Sequence, residues 1–368
     1  MTFEIRAPAA REEYQPLERM GAAELEQLRL LLRGGSVIDW MRLDFRSAHQ
    51  VDDFLRLNLF DLEDPRDVRR LRAILAQAVE YLRGAFGYQV ASPVAHPDDL
   101  RTLFLLASGV VEPHKYRRIA CVVLKVMHII HHLEARELVF RTAIREADLA
   151  AQIHRRVMAE AARMKEGGFP LVEFIGSSKS RGSLITKLLA KKDSLAAQVF
   201  DRVRFRIVTE RRDQIAPVVQ CLARRLFPVS YAVPGQTQNN LIHFQDLLAE
   251  HPRGPEIAAE LQLPPDLERR DVGQRNVFSA PDYRALNFVV DVPVRIDDFV
   301  APDDPVLEEL GRIVFCLVEF QVFDRHTAEV NEQGDSSHAR YKRRQHQEVL
   351  RRLSRGLVVP RRRKRGEP

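Results

Sequence analysis

The stretch from Leu171 to Glu210 restricts the fold more than any other part of the chain. An apolar run, Leu171 to Ile175, breaks into a turn-rich loop, Gly176-Ser-Ser-Lys179-Ser-Arg181-Gly182-Ser183. The loop leads into a helical pattern that carries Lys187 and ends at Lys191-Lys192, and a second apolar run starts just after Asp201. Strand, Gly/Ser/Lys loop, helix, and strand with an acid at its mouth is a layout suited to a nucleoside triphosphate and its metal. Backbone N–H groups at the loop and helix start, with Lys179 and Lys187, can face phosphates, and a carboxylate can hold Mg²⁺. The same residues also read as a surface loop with solvated lysines.

The hydrophobic period changes around this stretch. Before Gly167-Gly168 it is helical: Ala22 to Arg33 stops at Gly34-Gly35, a helix starting at Asp64-Pro65 runs to about Gly84, and Pro93 to Pro97 reads as a linker. Three further helices lie between Asp98 and Glu166, the last with Ile144, Leu149, Ile153, Val157 and Ala161 on or near one face. After Gly168 the pattern alternates. Val203, Phe205 and Ile207 fall on one side of a strand, with Arg204 and Arg206 on the other. Asp213 to Phe227 is a predicted helix. Val229 to Val233, Asn287 to Val292 and Ile313 to Phe323 are predicted strands, and Pro234 to Asn240 and His251 to Pro265 are predicted loops. The expected organisation is a helical N-terminal region over 1–167, an α+β domain over 168–356 and a basic tail over 357–368.

Composition adds limits. At 368 residues, with 45% hydrophobic and 29% charged, the chain has room for two sizeable cores. Cys121, Cys221 and Cys316 lie far apart inside apolar runs, which suggests neither a disulfide framework nor a cysteine zinc site. No apolar run approaches the ~18 residues of a membrane span, and the N-terminus lacks a basic-then-apolar signal pattern; a cytoplasmic protein is expected. The formal charge of +6 is unevenly spread: from Ala339 to Pro368 there are twelve Lys/Arg against two Glu. Arg361-Arg-Arg-Lys-Arg365 could attract tRNA or another RNA without sequence preference, or serve only as a solubilising end.

Two clusters carry chemistry. His128, His131, His132 and Glu134 share a helix at spacings a metal pair would need, but the surrounding Val, Ile and Leu favour packed imidazoles over ligands. On the longest predicted strand, Glu319 and Gln321 share one face. Two polar groups projecting from an apolar element are costly unless they serve a purpose.

The residues from about Leu171 to Lys342 resemble the synthetase domain of RelA/SpoT-type alarmone synthetases. Gly176, Lys179, Ser183 and Lys187 match a first block, Asp201 and Arg206 a second, and Glu319, Gln321, Glu332, Gly334, His338, Tyr341 and Lys342 a third, in register. Tyr283 with Leu286 is similar to the family's acceptor-stacking tyrosine. The resemblance implies a nucleotidyltransferase-like mixed sheet flanked by helices, and transfer of pyrophosphate from ATP to the 3′-hydroxyl of GDP or GTP. It further implies Asp201 and Glu319 as Mg²⁺ ligands, Glu319, Asp201 and Gln321 as catalytic residues, Lys179, Ser183, Lys187 and Arg206 around ATP, and Tyr283, His338 and Lys342 around the acceptor. Departures are informative. Ser177 and Thr186 stand where the family has basic residues, Pro281-Asp282 replaces the Asn-Gly before the tyrosine, and Asn287 replaces a histidine. Pyrophosphoryl transfer to tRNA 3′ ends, a synthetase fold acting without turnover as a nucleotide sensor or RNA-binding module, and a purely structural helical partner protein stay open as alternatives, as does a homo-oligomer.

Overall fold

Capping residues set where the helices stop and start. The computed structural model describes residues 13–34, 45–178, 181–190, 203–264, 272–273, 282–333 and 338–354. Helix α1 (Ala22–Arg33) closes at Gly34, whose φ of 60° is left-handed. After α2 (Ala48–Leu57), helix α3 (Pro65–Phe86) opens with Asp64 accepting from the Arg66 N–H and Pro65 in its first turn. Four more helices follow before any described strand: α4 (Ser92–Ala95), α5 (Arg101–Ser108), α6 (Arg117–Arg141) and α7 (Glu146–Glu166).

The remainder interleaves strands and helices: β1 (Leu171–Ser178), α8 (Arg181–Ala190), β2 (Val203–Thr209), α9 (Ile215–Arg225), β3 (Gln238–Asn239), α10 (Phe244–Glu250), α11 (Gly254–Glu260), β4 (Leu286–Arg295), α12 (Pro305–Leu310), β5 (Ile313–Asp324), α13 (Arg325–Glu332) and α14 (His338–Leu353). The chain is thus α+β, with one mixed five-stranded sheet in the order β1-β2-β5-β4-β3. Only the β2–β5 pair is parallel; β1–β2, β3–β4 and β4–β5 are antiparallel.

Alternation gives the sheet two unlike faces. One carries Val203, Phe205, Ile207, Phe288, Val290, Phe320 and Val322, all buried against α1, α7 and α9. Phe205 and Phe288 flank Phe320 with ring centroids 5.7 and 5.4 Å away. Helix α7 lies on this face through Leu149, Ile153, Val157 and Ala161. Its Glu160, 2% exposed, pairs with Arg163 of its own helix and with Arg225 of α9. Arg156 donates to the Pro293 and Leu226 carbonyls at 2.8 and 3.2 Å, fixing α7 to β4.

Helices α2, α3, α5 and α6 build a second core. It is tied to the sheet by Arg295 of β4, which pairs with Asp67 at 2.7 Å and Asp297 at 2.6 Å, and to α12 by Arg70, which donates to the Glu309 carbonyl and also pairs with Glu134 of α6. Helix α6 crosses the second face of the sheet. His132 stacks flat on Phe315 at 3.9 Å, with its Nδ1 3.2 Å from Asp291. His131 lies between Phe60 and Phe315, and His128 against Tyr231. The histidines therefore pack against aromatic rings, and Glu134 is engaged by Arg70 and Gln77.

Burial pushes the His128 imidazole down to about 3, and His131 well below its ordinary value, with neighbouring positive charge adding to both. In the unfolded chain both titrate near 6.5, so acid protonates the unfolded state first. Their contribution is complete above about pH 7 and is lost as pH falls from 6.5, at about 1.4 kcal/mol per pH unit for each imidazole. Urea midpoints between pH 7 and 4.5 should fall more steeply for the wild type than for His131→Phe; parallel slopes would contradict the assignment.

Several expectations change. Val229 to Val233 forms not a strand but a 3₁₀ turn, Val229–Tyr231, then a single bridge from Ala232 to Val290. Pro228 and Pro234 close off both ends of the run, leaving no length for a ladder. The edge of β4 is completed instead by β3, inside the segment Pro234 to Asn240 expected to be loop. Helix α11, with Pro255 in its first turn, occupies part of the expected loop from His251 to Pro265, and α4 part of the expected Pro93 to Pro97 linker. Lys191-Lys192 lies outside the described residues.

Candidate functional site

The sheet's second face is where strand alternation places polar side chains side by side. Arg204 and Arg206 on β2, Glu319 and Gln321 on β5, and Asn287 on β4 all face this way and are half-buried. Register lines them up in rows: Ser177, Arg204, Glu319 and Val289 form one, and Ile175, Arg206, Gln321 and Asn287 the next. Helix α6 covers one end of the face through Phe315. Toward the other end, Phe323, Ala285 and Ala328 are buried and Tyr283 packs on them.

Glu319 is the centre of the rows. Its Oε2 lies 2.9 Å from Arg204 Nε, and its Oε1 accepts from Gln321 Nε2 at 3.0 Å. Arg206 is held by two carboxylates, Glu173 at 2.8 Å and Glu332 at 2.6 Å, and its guanidinium lies 5.3 Å over the Phe323 ring. Charge is thus matched across β1, β2, β5 and α13, in a half-exposed setting where each pair is only partly screened.

Tyr283 enters from the loop before β4. Its ring meets Phe323 edge-on at 6.3 Å, and its hydroxyl is pushed up to about 12, mainly by burial and then by the nearby Glu319 charge, while Arg204, Arg206 and a hydrogen bond with Asn287 oppose the shift. Phe323, which also lies beneath the Arg206 guanidinium, thus joins Tyr283 to the same cluster. Two asparagines hold its loop. Asn240 donates to the Tyr283 carbonyl and accepts from the Ala285 N–H, at 2.8 Å each, and Asn331 of α13 makes the equivalent pair with Arg284 at 2.7 and 3.2 Å. Each side-chain amide imitates a strand neighbour, so Tyr283 is fixed without extending β4.

The sequence blocks map onto the elements as follows. Gly176 lies on β1 where a Cβ would meet His154 Nε2 at 2.5 Å and Phe205 at 2.7 Å, so only glycine lets α7 approach. Ser183 is exposed on α8, which also carries Lys187. Helix α8 packs beside α14, where His338 is the first residue and Lys342 is exposed. Arg352 of α14 donates to the Leu189 carbonyl of α8 at 2.9 Å. Asp324 caps α13 by accepting from the Thr327 N–H, which turns the chain sharply out of β5. The structure therefore brings Glu319, Gln321, Arg206 and Tyr283 together. Lys179, Asp201, Gly334 and the Arg361 to Arg365 tail lie outside the described residues, so the meeting of Asp201 with Glu319 stays an expectation.

Sequence reasoning missed Arg204, Glu173, Asn240 and Asn331 as members of the site. Arg204 was visible as the outward member of an alternating strand, but which residue it faces is fixed only by register with β5. Asn240 and Asn331 act through backbone contacts that no spacing rule reveals.

Among the described residues no group of three His, Cys, Asp or Glu could hold a metal ion, and no helix is long and apolar enough to cross a membrane. Mg²⁺ takes one or two carboxylates and completes its shell with phosphate oxygens and water. Glu319, a carboxylate on the polar face of the sheet with 13% of its side chain exposed, is of the donor type that fits this mode.

No family model matches the chain, and no curated protein does. Solved structures similar to it include the small alarmone synthetase 1 from Bacillus subtilis, at 14% identity over 66% of this chain and 92% of that one, with a TM-score of 0.30. The same synthetase bound to its product pppGpp is 15% identical over 56% and 89%, at 0.28. A GTP pyrophosphokinase family protein from Streptococcus pneumoniae is 13% identical over 56% and 85%, also at 0.28. Likenesses this distant assign no role to any side chain here. In its sequence blocks the chain resembles the RelA/SpoT-type alarmone synthetases.

Proposed function

We propose that this protein transfers the β,γ-pyrophosphoryl group of ATP to the 3′-hydroxyl of a nucleotide of the GDP or GTP type, releasing AMP. The observation that carries the reading is Glu319 on the arginine-lined second face of the sheet, beside Gln321, with Tyr283 packed on Phe323 of the same strand. A ribose hydroxyl is a poor nucleophile, and a carboxylate within hydrogen-bond reach can take its proton as the oxygen attacks the β-phosphorus. Glu319 would take that role, with Gln321 donating to one of its oxygens. Arg206, with Lys179, Ser183 and Lys187, would offset charge on the donor phosphates, and Tyr283, His338 and Lys342 would hold the acceptor. Glu319 and Asp201 would hold Mg²⁺, which when bound would supply positive charge to offset that of the donor phosphates.

Purified protein incubated with Mg²⁺, labelled ATP and separate acceptors GDP, GTP, ADP and tRNA tests the reaction. Label moving to GDP or GTP supports it, and label moving only to tRNA would redirect the acceptor. ATP binding with no transfer to any acceptor would leave a nucleotide sensor in its place. The asparagine clamp gives a further expectation. Asn331→Ala should raise the acceptor KM about tenfold with little change in the ATP KM, because each released loop hydrogen bond is worth roughly 1 kcal/mol. Equal changes in both constants would argue against Tyr283 as an acceptor contact.

A further inference from the structure

Arg204 belongs to none of the three sequence blocks, yet it occupies the middle of the polar row. On β2 it is paired across the antiparallel ladder with Ser177 of β1 and across the parallel ladder with Glu319 of β5. The resemblance implies a basic residue at position 177, where this chain has Ser177, which is exposed. Cβ atoms of directly paired residues lie about 4.5–5.5 Å apart, so an arginine at 204 has the reach to cover the space above residue 177. We propose that Arg204 supplies, from β2, the donor-phosphate cation that β1 lacks at position 177, and that it moves from Glu319 to the phosphates when the nucleotide binds.

This assignment rests on the transfer reading above and deepens it. The guanidinium is the side chain best shaped to fork a phosphate. Arg206, one dyad further along the same strand, is already committed to Glu173 and Glu332. Arg204 meets Glu319, at 2.9 Å, with a quarter of its side chain exposed. An incoming triphosphate offers it a more highly charged partner than a single carboxylate. The exchange would take Arg204 off the Oε2 of Glu319 when donor binds, while Gln321 still donates to Oε1.

Calorimetric titration of the full chain with a non-hydrolysable ATP analogue and Mg²⁺, alongside steady-state transfer kinetics, tests it. Arg204→Ala should weaken analogue binding about 10–100-fold, as expected for loss of charge-assisted hydrogen bonds. Arg204→Lys should fall between it and the wild type, and the acceptor KM should change by less than about threefold. The decisive variant adds Ser177→Arg to Arg204→Ala: recovery of analogue binding shows that the cation matters and its strand does not. Binding by Arg204→Ala within about twofold of the wild type overturns the proposal, as does a loss that neither Arg204→Lys nor the added Ser177→Arg recovers. A wild type that transfers nothing, but whose analogue affinity depends on Arg204, would remove the transfer reading and leave the phosphate-binding assignment standing.

Discussion

Replacing Glu319 by Gln is expected to lower the rate of pyrophosphoryl transfer by about 10²–10³, the usual cost of removing one preorganised charged group from a transfer site. The substitution keeps the shape and the half-buried position on β5 and removes the charge that would accept a proton in the proposed reaction. The amide can still hydrogen-bond to Gln321, so the strand and its register should stand. Its failure is chemical: a neutral amide cannot take the 3′-hydroxyl proton, and it offers Arg204 a weaker partner. Because the defect lies in the reaction step, kcat should carry more of it than the acceptor KM. The measurement is initial rate against ATP and acceptor separately, with circular dichroism confirming the fold. A variant as fast as the wild type would remove Glu319 from the reaction and with it the proposed mechanism.

The largest stability effect should come from Glu160→Ala. Glu160 is 2% exposed, between Arg163 and Arg225, with the Arg225 side chain only 9% exposed. Burial holds the Arg156 guanidinium down to about 10, and the Glu160 charge acts against that shift. At neutral pH the arginines stay charged, so removing the carboxylate leaves positive charge buried without its counter-ion. Breaking a buried pair on one side costs about 3–5 kcal/mol, whereas replacing both partners by apolar residues of similar volume is often close to neutral. Glu160→Ala should therefore lower the urea midpoint strongly at unchanged slope, and Glu160→Met combined with Arg225→Met should recover most of the loss. A single substitution costing less than about 1 kcal/mol would mean that water, not the glutamate, solvates Arg225.

Much of the scaffold could be read from residue order alone. Gly34 ends α1 and Asp64-Pro65 starts α3 because backbone sterics and orphan N–H groups demand those residue types locally. The buried stripe of α7 and the inward side of β2 follow from periods of about 3.6 and 2. The same logic misplaced Val229 to Val233, since apolar content indicates burial and not pairing; two prolines decided the conformation.

By itself, the sequence determined the helical N-terminal region, the two-faced strands and the presence of Glu319 and Gln321 on one face of β5, because these depend on steps of a few residues. Only the tertiary structure decided that β5 lies between β2 and β4, that Arg204 meets Glu319, and that Asn240 and Asn331 fix the Tyr283 loop. Those contacts join residues separated by up to 115 positions. Which strand lies beside which is set by burial of whole faces and by strand register, not by any local spacing.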